Sequence, residues 1–304
     1  MKYLCLLLFL VIYSHGDWEL KNISFVTEND ADFRTDRDYT YGSELSILYK
    51  TEEAHYISFG IAHQMFTPKD FDKENVDLSK ERPYAGYIFF DSGFHTVTNG
   101  ILDSLNIQVG FVGPSTKMDR VQKIIHSLIG SPDPKGWDEQ IGDELILQLD
   151  FERRWYVKTQ KLFGLQSALI PYCGINLGNA STLAAGGFVY TFGWNLPRDF
   201  GSRRIDYRGY NNIPLTETKT SKESFVFELW LESDAVARNI FLDGNTFKES
   251  VHVKKRNFLL KGGFGLGYRY DRWRFNYLRT YSTKEFVTQS YYHSYGSFLV
   301  GYDF

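Results

Sequence analysis

The stretch Ser104-Leu105-Asn106-Ile107-Gln108-Val109-Gly110-Phe111 changes character at every residue. Leu105, Ile107, Val109 and Phe111 are apolar, while Ser104, Asn106, Gln108 and Gly110 are not. A period of two belongs to a β-strand, whose successive side chains point to opposite faces; a helix repeats every 3.6 residues. The pattern returns in Leu145, Leu147, Leu149 and Phe151, then in Phe225, Phe227, Leu229 and Leu231, and in Trp273, Phe275 and Tyr277. In the last run, His293 to Phe304, Phe298, Val300, Tyr302 and Phe304 take one face. Twelve strands are predicted, centred near residues 22, 45, 60, 91, 108, 150, 171, 188, 230, 262, 276 and 298.

Alternation alone does not separate a soluble sandwich from a barrel in a membrane. Composition does. The 304 residues include 25 Phe, 21 Tyr and 6 Trp, too aromatic for disorder. Yet the mean hydropathy is −0.33, which excludes a bundle of membrane helices. Strands that alternate between lipid and lumen average out in this way, and an even strand number suits closure. The expected fold class is all-β: a 12-stranded antiparallel transmembrane β-barrel with a short helix in an outer-rim loop. A net charge of −3 gives no case for a nucleic-acid binder.

The N-terminus has Lys2, an apolar run from Tyr3 to Tyr13, and Ser14-His15-Gly16 before Asp17. That is the form of a secretory signal peptide, too short to span a bilayer as a helix. Residues 1–16 are therefore expected to be a leader, cleaved near Gly16, and residues 17–304 a single barrel domain. Cys5 falls in the leader, and Cys173 is expected to be a small packing residue. The run Gly263-x-Gly265-x-Gly267 has the period of a strand and reads as small inward residues, not a nucleotide loop.

One segment breaks the pattern. In Ser115 to Ile129, Met118, Val121, Ile125 and Leu128 recur at helical spacing, Ser115 or Thr116 can cap the start, and Gly130 ends it. Gln122 and His126, four apart, share one face. This helix belongs to one of three polar connections. The others carry Glu28-Asn29-Asp30 through Asp38-Tyr39-Thr40, and Lys80-Glu81-Arg82-Pro83-Tyr84. They follow strands one, three and five, so with both termini in the periplasm all three share the outer rim. The same count sends the long stretch 197–222 to the periplasmic side, where turns are normally short.

Asp30 beside Asn29 offers hard oxygen ligands of the kind Ca²⁺ takes. A histidine near its ordinary pKa can take a proton from water. Asn29, Asp30, Thr40, Gln122 and His126 together hold the parts for hydrolysing an ester without a nucleophilic serine. Each also has an ordinary reading: Asn-Asp as a turn, the helical His as packing, acidic residues as lumen filling.

At these residues the chain resembles the LpxR-type lipid A 3′-O-deacylases of Gram-negative outer membranes. The matching motifs are Glu28-Asn29-Asp30, Thr35-Asp36-Arg37-Asp38-Tyr39-Thr40-x-Gly42 and Arg82-Pro83-Tyr84-Ala85-Gly86. They continue with Gly113-Pro114, Gln122-x-x-x-His126-x-x-Ile129-Gly130 and Gly136-Trp137. The resemblance implies a Ca²⁺-dependent esterase in the outer membrane that removes the 3′-linked acyloxyacyl group from lipid A; a protein partner is not implied. It implies Asn29 and Thr40 lining the site, Asp30 holding calcium, His126 activating water and Gln122 assisting. Lys69 and Arg82 are candidate partners for the phosphates and acidic sugars of the substrate. Some members carry Glu just after the helix; here Pro132 stands there, followed by Asp133. A passive channel and an outer-membrane phospholipase are the alternative readings.

Overall fold

The computed structural model describes residues 18–30, 37–73, 76–159, 161, 163–202, 204–205, 213–214 and 222–304. The proposed leader lies outside them. Twelve long antiparallel strands form one closed sheet: β1 (Glu19–Asn29), β2 (Asp38–Glu52), β3 (His55–Thr67), β4 (Ala85–Thr98), β5 (Ile101–Val112) and β6 (Glu144–Trp155), then β7 (Gln166–Gly178), β8 (Ser181–Trp194), β9 (Glu223–Asn239), β10 (Phe258–Tyr270), β11 (Trp273–Ser282) and β12 (His293–Asp303). Each pairs with its sequence neighbours, and β1 pairs with β12 to close the ring. The two-residue strand Val157–Lys158 prolongs β6 against β7. Closure leaves no unpaired edge, the condition for crossing hydrocarbon with strands. All twelve expected strands are present.

Burial explains the alternation. On β5 the polar Ser104, Asn106 and Gln108 are buried, whereas Leu105, Ile107, Val109 and Phe111 are exposed. The polar side chains fill the lumen and the apolar ones face lipid. Inside, Arg154 pairs with Glu152 at 2.6 Å, Lys261 with Asp234 at 2.6 Å, and Tyr172 donates to Glu232 at 2.9 Å. Gly265 is an inward residue as expected: a Cβ there would lie 2.4 Å from Leu278. Cys173, by contrast, is exposed on the outer face of β7 and not packed inside.

The ends differ in length. One end has tight turns at 53–54, 99–100 and 271–272. Asn99 (φ 52°) and Gly100 (φ 80°) are both left-handed, as a two-residue hairpin with the twist of its strands requires. The other end carries long connections, including all three polar loops, and one tight turn at 179–180. The short-turn end is periplasmic by the usual asymmetry. The long stretch after β8 is the exception at this end, and its described part turns into the lumen. Phe200 and Ile213 are fully buried, Arg154 donates to the Phe200 carbonyl, and Ser202 donates to Glu228. From the outer end, a short helix α2 (Ile240–Asp243) lowers Phe241 onto Phe66, with ring centroids 4.0 Å apart. The lumen is stoppered from both sides.

The helix expected near Ser115 is a 3₁₀ turn, Pro114–Thr116, followed by α1 (Met118–Ile129). Neither Ser115 nor Thr116 caps it. Ser115 donates to Asp143, Thr116 donates back to the Gly113 carbonyl, and left-handed Lys117 occupies the cap position. Gly130 ends the helix as expected, at φ 72°.

Candidate active site at the outer rim

The helix lies against the outside of the wall. Tyr87 and Phe89 belong to the inner cluster with Phe241, so Gly86 and Ile88 between and beside them face outward. A Cβ on Gly86 would stand 2.7 Å from the Met118 side chain, so only glycine lets helix and strand approach this closely. Around the contact, Met65, Tyr84, Met118 and Trp137 form a buried cluster joined by Tyr41, Phe71, Ile88, Val121 and Ile125.

On α1, Met118, Gln122 and His126 form the buried seam. Burying two polar residues there while leaving Ile124 and Leu128 exposed reverses the ordinary preference, so each polar group must be satisfied. The Trp137 indole N–H donates to Gln122 Oε1 at 2.7 Å. His126 Nδ1 lies 2.6 Å from the Pro132 carbonyl oxygen, and Phe71 meets its ring edge-on at 5.5 Å. A carbonyl can only accept, so Nδ1 carries the proton and neutral His126 has its lone pair on Nε2. Thus Pro132 contributes through its backbone carbonyl. Gly130 makes this possible by reversing the chain, and Ser131 N–H returns to the His126 carbonyl.

The wall supplies the other residues. Glu28 points into the lumen, where it accepts from Tyr39, Ser297 and the Ile205 amide. Asn29, the next residue, therefore takes the outer face, paired in register with Tyr41 of the helix-covered cluster. A bulge between Tyr39 and Tyr41 singles out Thr40, whose hydroxyl is 2.6 Å from that of Thr67. Asp30 is buried and accepts from the Arg37 amide at 2.8 Å. The tops of β1 and β2 thus bring Asn29, Asp30 and Thr40 together, and Tyr41 links them to the helix carrying Gln122 and His126. Asp32, Thr35 and Asp36 lie outside the described residues.

Arg82 and Lys69 have different surroundings. Arg82 is buried, with its guanidinium on Glu285 and 3.4 Å from Asp38. The carboxylates favour its charged form over the opposing effect of burial, raising its pKa. Burial likewise opposes the charge on Glu285, but Arg82 outweighs it and lowers the pKa. Gln289 donates to Asp38 at 3.2 Å, and His293 lies 3.7 Å from it. This network ties the loops after β1, β3 and β11 together, and places Arg82 as a clamp, not as an open phosphate site. Lys69 is exposed, its ammonium 5.4 Å from the Tyr291 ring, over which Arg37 also stacks at 3.7 Å.

Trp137, Thr67, Glu285 and Gln289 had no assigned role from sequence. Trp137 was visible only as part of a motif. Glu285 and Gln289 stand more than 200 residues from Arg82 and Asp38, so no local spacing could announce them. No cluster of three His, Cys, Asp or Glu suited to a metal occurs among the described residues. The donors around Asp30 are amide, hydroxyl and carboxylate oxygens. That chemistry fits Ca²⁺ and has no soft ligand for Zn²⁺.

Fold and site together define a transmembrane β-barrel protein of the Gram-negative outer membrane with a helix-covered polar site on its outer rim. The family described as "Outer membrane protein LpxR" matches residues 3–304, and the chain belongs to it. Its function is accordingly lipid A modification in the outer membrane. The solved structure of LpxR from Salmonella typhimurium is similar at TM-score 0.80 and 18% identity, over 93% of this chain and 100% of that one. The translocator domain of autotransporter NalP from Neisseria meningitidis matches at TM-score 0.43 and 10% identity, over 96% and 89%. The KdgM porin matches at TM-score 0.40 and 8% identity, over 93% and 99%. No curated protein sequence matches.

Proposed function

We propose that this protein, exported by a leader spanning residues 1–16, is a Ca²⁺-dependent esterase that removes the 3′-linked acyloxyacyl group from lipid A. The observation that carries this reading is His126 Nδ1 on the Pro132 carbonyl, which leaves Nε2 as the base. In the proposed reaction Nε2 takes a proton from water as its oxygen bonds to the ester carbonyl carbon. The C–O bond to the sugar then breaks, and His126 returns the proton to the departing 3′ oxygen. Gln122, its carbonyl accepting from Trp137, stands one helical turn before His126 on the same seam and assists at the developing oxyanion. Asn29 and Thr40 form the wall side of the site.

Asp30, with Asn29 and main-chain oxygens nearby, would hold the calcium. That ion supplies Lewis-acid polarisation of the ester carbonyl when bound. Lys69 is the exposed cation for the substrate's anionic groups, and Arg82 acts by holding the loops in place. The filled lumen speaks against a passive channel.

The deciding experiment incubates the purified barrel with lipid A and, separately, with glycerophospholipid, and follows products by mass spectrometry. Loss of the 3′ acyloxyacyl group from lipid A alone is expected. Hydrolysis of the glycerophospholipid alone would support the phospholipase reading, and no hydrolysis of either would sink the esterase.

A further inference from the structure

The helix α1 is amphipathic, but its apolar side is not the side that meets the wall. The seam is Met118, Gln122 and His126. At about 100° per residue, Val121, Ile124, Ile125 and Leu128 fall on one flank of that seam. Asp119, Lys123, Ser127 and Arg120 fall on the other. Val121 and Ile125 are half-buried, whereas Ile124 is 62% and Leu128 80% exposed.

The apolar flank points down the barrel. Met118 touches Gly86, one residue below the top of β4, while Val121 and Ile125 share a cluster with Ile88, further down. Two residues below Ile88 on the same outer face, Phe90 is exposed, and Leu45 and Ile61 on β2 and β3 are exposed with it. The apolar flank is therefore continuous with the lipid-facing belt, and the charged flank with Lys123 and Arg120 is turned away from it.

We propose that α1 lies in the headgroup layer of the outer leaflet, with Ile124 and Leu128 seated among the acyl chains of the bilayer. Such a helix, apolar toward hydrocarbon and cationic toward headgroup phosphates, has the form of an interfacial helix. Here it is fastened along one seam to a barrel wall. An acyl ester then reaches the seam sideways from the leaflet, without leaving the membrane. The placement rests on the barrel and its belt and holds whichever ester is cleaved.

The test uses the full chain with Cys5→Ser and Cys173→Ser, reconstituted in phosphatidylcholine vesicles containing doxyl-phosphatidylcholine. A bimane label is attached in turn through Ile124→Cys, Leu128→Cys and Lys123→Cys, with Leu147→Cys on the belt and Glu249→Cys in an outer loop as references. Quenching at 124 and 128 should reach at least about half that at 147, and at 123 should stay near the level at 249. No quenching at 124 and 128, or equal quenching on both flanks, would overturn the placement. A second measurement needs no variant. With lipids bearing a photoactivatable group in the acyl chain, the wild-type tryptic peptide 124–135 should carry the cross-link, and its absence there while belt peptides are labelled would also overturn it.

Discussion

His126 Nδ1 and the Pro132 carbonyl oxygen, six residues apart and separated by a helix end, lie 2.6 Å from each other. The contact fixes the ring's tautomer through a backbone carbonyl. It makes the backbone turn at Gly130 part of the site. On the proposed mechanism, His126→Ala should lower deacylation by about 10²–10⁴-fold, the usual range for a general base. The variant should still migrate as a folded barrel in unheated gels. A folded variant with full activity would remove His126 from the reaction.

Trp137 should act through Gln122. Trp137→Phe keeps a ring against Tyr84 but deletes the indole donor that holds Gln122 Oε1. A fall in kcat of about tenfold, with little change in KM, is expected. Adding Gln122→Ala to that variant should cost little more than Gln122→Ala alone. Fully additive losses would show that the two residues work separately.

Calcium should be required. A chelator should abolish deacylation, added Ca²⁺ should restore it, and Asp30→Ala should not be rescued by Ca²⁺ at concentrations that suffice for the wild type. Activity that survives chelation, or that returns only with Zn²⁺, would refute the assignment.

The Arg82–Glu285 pair should govern the order of the outer loops. Breaking a buried pair by removing one charge typically costs about 3–5 kcal/mol, so Glu285→Gln should make the loops after β1, β3 and β11 more susceptible to protease while the strands stay protected. Acid should act in the same direction. Glu285 ionises more readily in the folded protein than in the unfolded chain. Its contribution is complete above the ordinary value of 4.5 and is lost as pH falls through its lower folded value. Limited proteolysis at stepped pH measures this, and a pH-independent cleavage pattern would count against the clamp.

The barrel should not conduct. Phe241 presses on Phe66 from one end, and the segment with Phe200 and Ile213 fills the other. Recordings in planar bilayers should show no stable open level. A steady porin-like current would mean that the stoppers leave the lumen.

The strands were legible because a lipid-facing wall leaves a strict period of two, and all twelve centres fall inside observed strands. Gln122 and His126 were legible because four-residue spacing places them on one helical face. What the helix buries was less so: spacing separates an apolar stripe from the polar pair, and only the contacts with Gly86 and Trp137 decide that the pair takes the inner side. The lumen segment after β8 was invisible to strand counting, which gives the side a connection starts from but not the direction it turns. The Arg82 clamp was missed for a related reason: its partners come from the loop beside the last strand, and pairing across ring closure has no signature in either segment.

Ring closure also bears on when the site comes into being. Asn29 ends the first strand, its register neighbour Gly296 belongs to the last, and Ser297 donates to Glu28 across the same seam at 2.7 Å. The first strand is synthesised well before the last, so the edge of β1 that carries Asn29 stays unpaired until these two strands meet. A chain still on its way through the periplasm carries every residue of the site but not the wall they stand on. Closing the ring turns a string of polar side chains into a surface, and it does so in the bilayer where the substrate resides.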